Sequence, residues 1–326
     1  MDRKAACCWL AGGVMAFAVA TGPALAQQDY PVKPIRFIVG VAPGGATDIL
    51  ARTIGARMSE NLRQQVIIDN RPGANHIIGG ELTAKSPRDG YTIQMIPEGW
   101  VINASVYAKL PFDPLRDFSA IAIVALVPNV MVIHPSINAR SVRSFIAFAK
   151  ARPGQLSTGS SGVGSPSHMS GELFKVMAGI DWTHVPYRGQ SLAVIDMISG
   201  QIQLGFPSIP ASVAHIKSRR LAPLGVTTSQ RATALPDVPT ISEAGLPGYE
   251  VSGWYGVIGP AGMPRPLIVR INEEINKILK VPELRDHLSR EGAEPRTGTP
   301  EEFAAAMAND LKKWAKVVKS AGIKPQ

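Results

Sequence analysis

Ile35-Arg36-Phe37-Ile38-Val39-Gly40-Val41-Ala42-Pro43-Gly44-Gly45-Ala46-Thr47-Asp48 is the stretch that decides the fold. Its first five residues form a short apolar run of strand length, rich in β-branched side chains. Pro43-Gly44-Gly45 breaks the run. Leu50, Ile54, Met58 and Leu62 then recur at near-helical spacing. The order strand, glycine turn, helix is repeated downstream. Val66-Ile67-Ile68 is a second strand, Arg71 to Asn75 a loop, Ile78 to Ala84 a helix, and Tyr91 to Ile96 a third strand after the turn Pro87-Arg88-Asp89-Gly90. Strands alternating with helices predict an α/β protein whose mainly parallel sheets are covered on both faces.

The long β-rich stretch Ile121 to Ile133, with Pro128 inside it, reads as an extended crossover into a second lobe. There the theme returns. Ser141 caps a helix carrying Phe145 and Phe148, and Leu156-Ser157-Thr158 is a strand. Gly159 to Ser165 is a Gly/Ser loop, and a helix runs through Glu172. Trp182 to Tyr187, Ile202 to Phe206 and Leu221 to Thr227 are strands; Ser191 to Ser199 and Ala211 to Ser218 are helices. Pro236 to Pro247 reads as a loop, and Tyr249 to Ile258 as the return crossover. Helices over Leu267 to Leu279, Pro282 to Arg290 and Glu302 to Ser320 close the chain.

The N-terminus is read apart from the fold. Arg3 and Lys4 precede the uncharged run Ala5 to Ala20, Thr21-Gly22-Pro23 breaks it, and Ala24-Leu25-Ala26 is a cleavage site of A-x-A type. This is a secretory signal peptide cleaved after Ala26, and it directs the protein to the periplasm. Cys7 and Cys8 are the only cysteines and both fall inside it, so the mature chain has no disulfide, Cys metal site or Cys nucleophile. The net charge is +9, but the basic residues are scattered with no run of five, which argues for attraction of small anions and against nucleic acid.

Two glycine-rich loops, Pro43 to Asp48 and Ser160 to Ser165, each stand between a strand and a helix. Glycines admit close approach of a ligand, and a helix N-terminus offers free N–H groups and the positive end of the dipole. Two such loops, one per lobe, suggest an anion held between lobes; two plain tight turns are the other reading. Other chemistries fail at the residue level. Gly162-Val163-Gly164 lacks the third glycine of the dinucleotide fingerprint, and there is no GxxxxGK[ST] and no G-x-S-x-G. Ser160 or Ser161 with His168 would be a nucleophile pair without a placed acid. The six histidines are spread singly, without metal-ligand spacing, so neither a metal nor a cofactor is expected.

Tyr30 to Arg36, Ala42 to Asp48, Ala51-Arg52, Asn70-Arg71-Pro72-Gly73-Ala74, Gly79 and Pro87 to Thr92 form a specific set. Pro128-Asn129-Val130, His134-Pro135-Ser136, Gly162 to Ser165, His168, Gly171-Glu172, Val185 to Gly189 and Gly253-Trp254-Tyr255-Gly256 continue it in order. Over the entire mature chain, this closely resembles the Bug-type substrate-binding proteins of tripartite tricarboxylate transporters. The resemblance implies a two-lobe periplasmic binding protein of Venus-flytrap, type II-like shape. It implies no catalysis, no cofactor, and a monomer that takes a small organic carboxylate to membrane permease subunits. Delivery to the periplasmic domain of a sensor kinase is the alternative, and a hydrolase or transferase on similar lobes a more distant one. The expected division is 1–26 signal peptide, 27–127 with 255–326 lobe 1, and 128–254 lobe 2, hinged near Val127-Pro128 and Ser252-Gly253-Trp254.

In relatives the ligand carboxylate is held by backbone groups of the two glycine loops, often through waters. Carried over, these are Pro43, Gly44, Gly45, Ala46, Thr47 and Asp48 with Ser160, Ser161, Gly162, Val163, Gly164 and Ser165. Asn75, Arg188 and Phe206 complete the expected set. Asp48 has two readings, a brace for the loop or a ligand contact. Arg188 is either a carboxylate partner or a surface arginine, and Phe206 a pocket wall, although Pro207 stands where many relatives carry an acid. Three departures bear on the ligand. Val41-Ala42 replaces a bulky aromatic, which implies a roomier cleft. Asn75-His76 replaces glycines and brings polar side chains towards it. Pro97-Glu98-Gly99-Trp100 replaces a smaller loop; with Trp100 stacking on the ligand or packing at the rim, an aromatic acid enters as a candidate.

Overall fold

The computed structural model describes residues 30–251 and 253–320. The expected signal peptide and Ser252, expected at the hinge, lie outside the described residues. The chain runs β1 (Ile35–Val39), α1 (Ala46–Leu62), β2 (Val66–Asn70), α2 (Ile77–Ala84), β3 (Thr92–Pro97), α3 (Gly99–Val106) and β4 (Phe118–Val127). It continues as β5 (Val130–Ile133), α4 (Val142–Lys150), β6 (Ser157–Ser160), α5 (Pro166–Ala178), β7 (Thr183–Pro186), α6 (Gln190–Ile198) and β8 (Leu204–Gly205). Then follow α7 (Ile209–Lys217), β9 (Ala222–Val226), α8 (Ile241–Ala244), β10 (Gly253–Pro260), α9 (Arg265–Leu279), α10 (Pro282–Arg290), β11 (Glu294–Pro295) and α11 (Pro300–Ser320).

These elements build two sheets, ordered β11-β4-β10-β3-β1-β2 and β7-β6-β8-β5-β9. The βα units pair in parallel as their alternation predicts: β1 with β2 and β3, and β6 with β7 and β8. The crossover strands run the other way. β10 is antiparallel to β3 and β4, and β5 to β8 and β9. The sheets are therefore mixed rather than mainly parallel. Ile121 to Ile133 is not one extended element. Its halves are β4 and β5, one in each sheet, separated by Pro128 and Asn129. Proline cannot donate to a ladder, so the chain leaves one sheet there and enters the other.

Local chemistry explains the helix starts. Ser141 Oγ accepts from Ser144 N at 3.1 Å while Ser144 Oγ accepts from Ser141 N at 3.0 Å, a reciprocal cap for α4. Ser165 caps α5, with Pro166 at its first position.

The first sheet's core carries an aromatic cluster. Trp100 stacks on Phe112 at 4.7 Å and meets Phe118 edge-on at 5.0 Å. The stretch Pro97 to Trp100, read as a loop, is the end of β3 and the start of α3, and Trp100 is 0% exposed. It is neither a stacking platform nor a rim residue, and it does not favour an aromatic ligand. Gly80 makes room for it, since a Cβ there would stand 2.2 Å from Trp100 Cη2. The C-terminal helix is pinned to the same region twice. Trp254 Nε1 donates to Asp310 Oδ2 at 2.6 Å, and Trp314 Nε1 donates to Glu98 Oε1 at 2.8 Å.

Candidate functional site

The two sheets meet where the first glycine loop faces the segment after β7. Ala42 N donates to the Arg188 carbonyl at 3.1 Å, and Ser191 Oγ donates to the Pro43 carbonyl at 2.7 Å. Between the sheets lies a cavity of about 20 Å³. Its lining comes from the starts of five helices: Gly45, Ala46 and Thr47 of α1; His76 of α2; Pro166 and Ser167 of α5; Gln190 of α6; and Ser208 of α7. A helix start carries the positive end of the dipole, roughly half a charge. At α7 the first amides are spent, since Ile209 N donates to the Pro128 carbonyl at 3.0 Å, Pro210 has no N–H and Ala211 N donates to the Ser208 carbonyl at 3.1 Å. Val41, Pro97, Asn129, Ser161 and Tyr255 complete the wall. Among the described residues, no lysine or arginine lines it.

The first loop is braced by Asp48. Its Oδ2 accepts from Gly44 N at 3.0 Å and Arg52 Nε at 2.9 Å, and its Oδ1 accepts from Asn70 Nδ2 at 2.9 Å. Burial would raise the Asp48 pKa, but these bonds from Arg52, Asn70 and Gly44 outweigh it and hold the carboxyl ionised below its usual range. With Gly44 at φ 89°, the turn delivers Gly45 to Thr47 to the cavity. Asp48 itself is committed to the loop.

The second loop satisfies itself. Ser160 Oγ accepts from Gly162 N at 3.1 Å, Ser167 Oγ from Ser161 N at 3.0 Å, and His168 Nδ1 from Gly164 N at 3.1 Å. Ser165 N donates to the Gly162 carbonyl at 3.1 Å. Its contribution to the cavity is Ser161, together with Ser167 of the helix start. Ser160 Oγ lies 2.6 Å from His184 Nε2, not at His168, and the two imidazoles stack at 4.0 Å. Burial pushes both histidines towards the neutral form. His168 Nε2 is 3.8 Å from Glu172, whose other oxygen pairs with Lys175 at 3.0 Å. This cluster shapes the loop and offers no activated nucleophile.

Of the remaining expected residues, Asn75 is buried beside the cavity: its Nδ2 donates to Asn103 Oδ1 at 2.7 Å, while its own Oδ1 has no partner. Val163 packs in a cluster with Ile102, Val106 and Met169. Arg188 has an exposed side chain and offers the other lobe its carbonyl. Phe206 packs among Phe174 and Trp182 in the second sheet's core and does not form a wall of the cavity.

Sequence reasoning missed Gln190, Ser208, Asn129, Ser167 and Tyr255, and named His76 only as a departure. Gln190 Nε2, Ser208 Oγ and His76 Nδ1 are buried without a partner, and all three residues line the cavity. Signals existed: Gln190 directly follows the Val185 to Gly189 motif, and Ser208 precedes a helix with Pro210 in its first turn. Ala74, Asn75 and His76 are three consecutive non-glycine residues in the left-handed region, at φ 44°, 47° and 72°. Such backbone costs about 1–2 kcal/mol per residue, and it clusters at sites where placement matters.

Glu98, next in sequence to the cavity-lining Pro97, is 2% exposed. Burial pushes its carboxyl up to about 7, assisted by Asp310 and opposed by the Trp314 hydrogen bond and Lys313. The folded pKa lies above the ordinary 4.5, so the stability Glu98 contributes is complete below pH 4.5 and drains away as pH rises to about 7. Glu98→Gln keeps an acceptor for Trp314 and removes the titration. Its melting temperature relative to the unsubstituted protein is expected to rise steadily between pH 5 and 8; a constant offset would refute this.

The profile of the "Tripartite tricarboxylate transporter family receptor" matches residues 50–323. The chain belongs to this receptor family. Protein BugT of Bordetella pertussis is 34% identical over 302 residues, covering 92% of this chain and 93% of BugT. Among solved structures, Rpa4515 of R. palustris with adipate is 37% identical at a TM-score of 0.89, covering 91% of this chain and 100% of that one. MatC of Rhodopseudomonas palustris, with bound malate, is 27% identical at a TM-score of 0.85, covering 89% of this chain and 100% of that one. The fold is the two-lobe α/β architecture of periplasmic solute-binding proteins. As a member of the receptor family the protein binds a solute and is not an enzyme.

Proposed function

We propose that this receptor-family protein is exported to the periplasm, captures a small carboxylate between its lobes and delivers it to the membrane subunits of a tripartite tricarboxylate-type transporter. The observation that carries this reading is the convergence of five helix starts on a cavity that no lysine or arginine lines among the described residues. Dipoles and free N–H groups fixed in a water-poor site favour an acceptor-rich anion and need little reorganisation to receive it. The adipate and malate bound to Rpa4515 and MatC support the carboxylate class. Among the described residues no helix is long and apolar enough to cross a membrane.

The mechanism is hinge closure. A cavity of about 20 Å³ has room for about one water, so a dicarboxylate enters only when the lobes part. The crossovers at Val127-Pro128 and at Gly253-Trp254 would absorb the change, with lobe 1 at 27–127 and 255–326 and lobe 2 at 128–254. A solute touching both lobes favours closure because it binds the closed state better.

The test is thermal unfolding of refolded mature protein with citrate, malate, adipate, aromatic acids, phosphate and nucleotides. A carboxylate at 100 times its Kd should stabilise by about 2.7 kcal/mol, or roughly 5–10 °C. Shifts from phosphate or a nucleotide, with none from any carboxylate, would reject the reading.

A further inference from the structure

We propose that His76 meets a carboxylate oxygen of the bound solute and takes up one proton as the solute enters. This inference rests on the carboxylate reading of the cavity and deepens it. His76 lines the cavity at 2% exposure, and its Nδ1 is buried with no partner. The placement is built. The left-handed run Ala74-Asn75-His76 turns the ring in, and Gly40 leaves the space beneath it, where a Cβ would stand 2.6 Å from His76 Nδ1.

Nδ1 lies against Gly40, so the solute is met by the other ring nitrogen, which carries a proton in the imidazolium and in only one of the two neutral tautomers. In the closed cavity burial alone pushes His76 down to about 3, so it is neutral there. An anion laid against the ring acts in the opposite sense and favours the charged form. Among the described residues nothing already present does this work. On its own helix, Glu81 pairs with Lys85. From α1, Asp48 is held by Gly44, Arg52 and Asn70. From β10, Tyr255 lines the cavity with its hydroxyl driven up by burial and by Glu98, and so is un-ionised. From α3, Glu98 bonds Trp314. From the second lobe, Arg188 is exposed, and the His168–His184 stack stands behind the serine loop. The solute would supply the missing charge. The remaining unpartnered groups, Gln190 Nε2 and Ser208 Oγ, can both donate to the same class of acceptor.

The experiment is calorimetric titration with adipate and with malate at pH 6, in two buffers of different ionisation enthalpy. The expected result is uptake of close to one proton per solute bound. Affinity should fall by up to tenfold per pH unit as pH rises from 6 to 8. His76→Gln should abolish the uptake, flatten the pH profile and weaken binding about tenfold at pH 6. His76→Gly should do the same, and its left-handed backbone suits glycine, so loss of fold does not blur the comparison. Glu98→Gln, which removes the other titrating group next to the cavity wall, should leave the uptake in place. Binding without proton uptake, uptake that survives in both His76 variants, or uptake lost in Glu98→Gln would each overturn the inference while leaving the carboxylate reading intact. If adipate and malate fail to bind, the titration is run with the carboxylate that does; failure of every carboxylate of the panel to bind the unsubstituted protein would instead remove the carboxylate reading, and this inference with it.

Discussion

Trp100→Ala should destabilise the protein by about 3–5 kcal/mol, the range for emptying an aromatic site in a packed core, and lower the melting temperature by about 10 °C. Trp100 is wholly buried and touches three parts of the chain at once: Phe112 before β4 and Phe118 of β4 through ring contacts, and Gly80 of α2 through a gap that only glycine leaves. Collapse of the site is resisted by that rigid surround, so the void persists. Its Nε1 is buried without a partner, which makes phenylalanine a fair replacement. Trp100→Phe should therefore recover more than half of the loss. Chemical unfolding of the two variants decides the matter, and a loss below about 1 kcal/mol for alanine would refute the core assignment.

Lowering the pH from 7 to 4.5 should cost on the order of 5 kcal/mol of folding stability, chiefly through three histidines. His76, His168 and His184 are each held neutral below the ordinary 6.5, first by burial. Their contribution is complete above pH 6.5 and is lost as pH falls towards their folded values. Glu98 opposes this between pH 4.5 and about 7, but it is one group against three. Below pH 4 the loss steepens as Asp48, ionised through Arg52, Asn70 and Gly44 despite burial, and Asp69, ionised through Arg36 and Arg71 despite burial, take up protons. Urea midpoints across the range measure the effect, and His76→Gln should reduce the slope by about one proton. A flat profile between pH 7 and 5 would show that these imidazoles are not held neutral.

The alternation of strand and helix was legible because each half repeats a period that only an α/β layering satisfies. Ser141 and the apolar stripe of α9 announced their helices through chemistry that acts within a few residues. What was not legible depended on distant partners. The direction of β10 follows from its return beside β4, which nothing in Gly253 to Pro260 encodes. Trp100 resembles a binding aromatic until Gly80, Phe112 and Phe118 are brought around it. The site divided in the same way. The loop Pro43 to Asp48 marks itself by its glycines, whereas Gln190 and Ser208 are ordinary polar residues that matter only because α6 and α7 begin at the same point in space. The second loop carried the strongest glycine pattern, yet most of its amides are consumed by Ser160, Ser167 and His168.

The cavity wall carries no lysine or arginine among the described residues, although the chain bears a net charge of +9. The two sources of positive potential therefore act at different moments. Charge scattered over the exterior draws an anion from a distance and is screened within about 10 Å at 0.1 M salt. Helix ends inside a closed cleft are sheltered from mobile ions and act only on an anion already in place. For such an anion, ionic strength governs how fast it arrives and has little say in how long it stays.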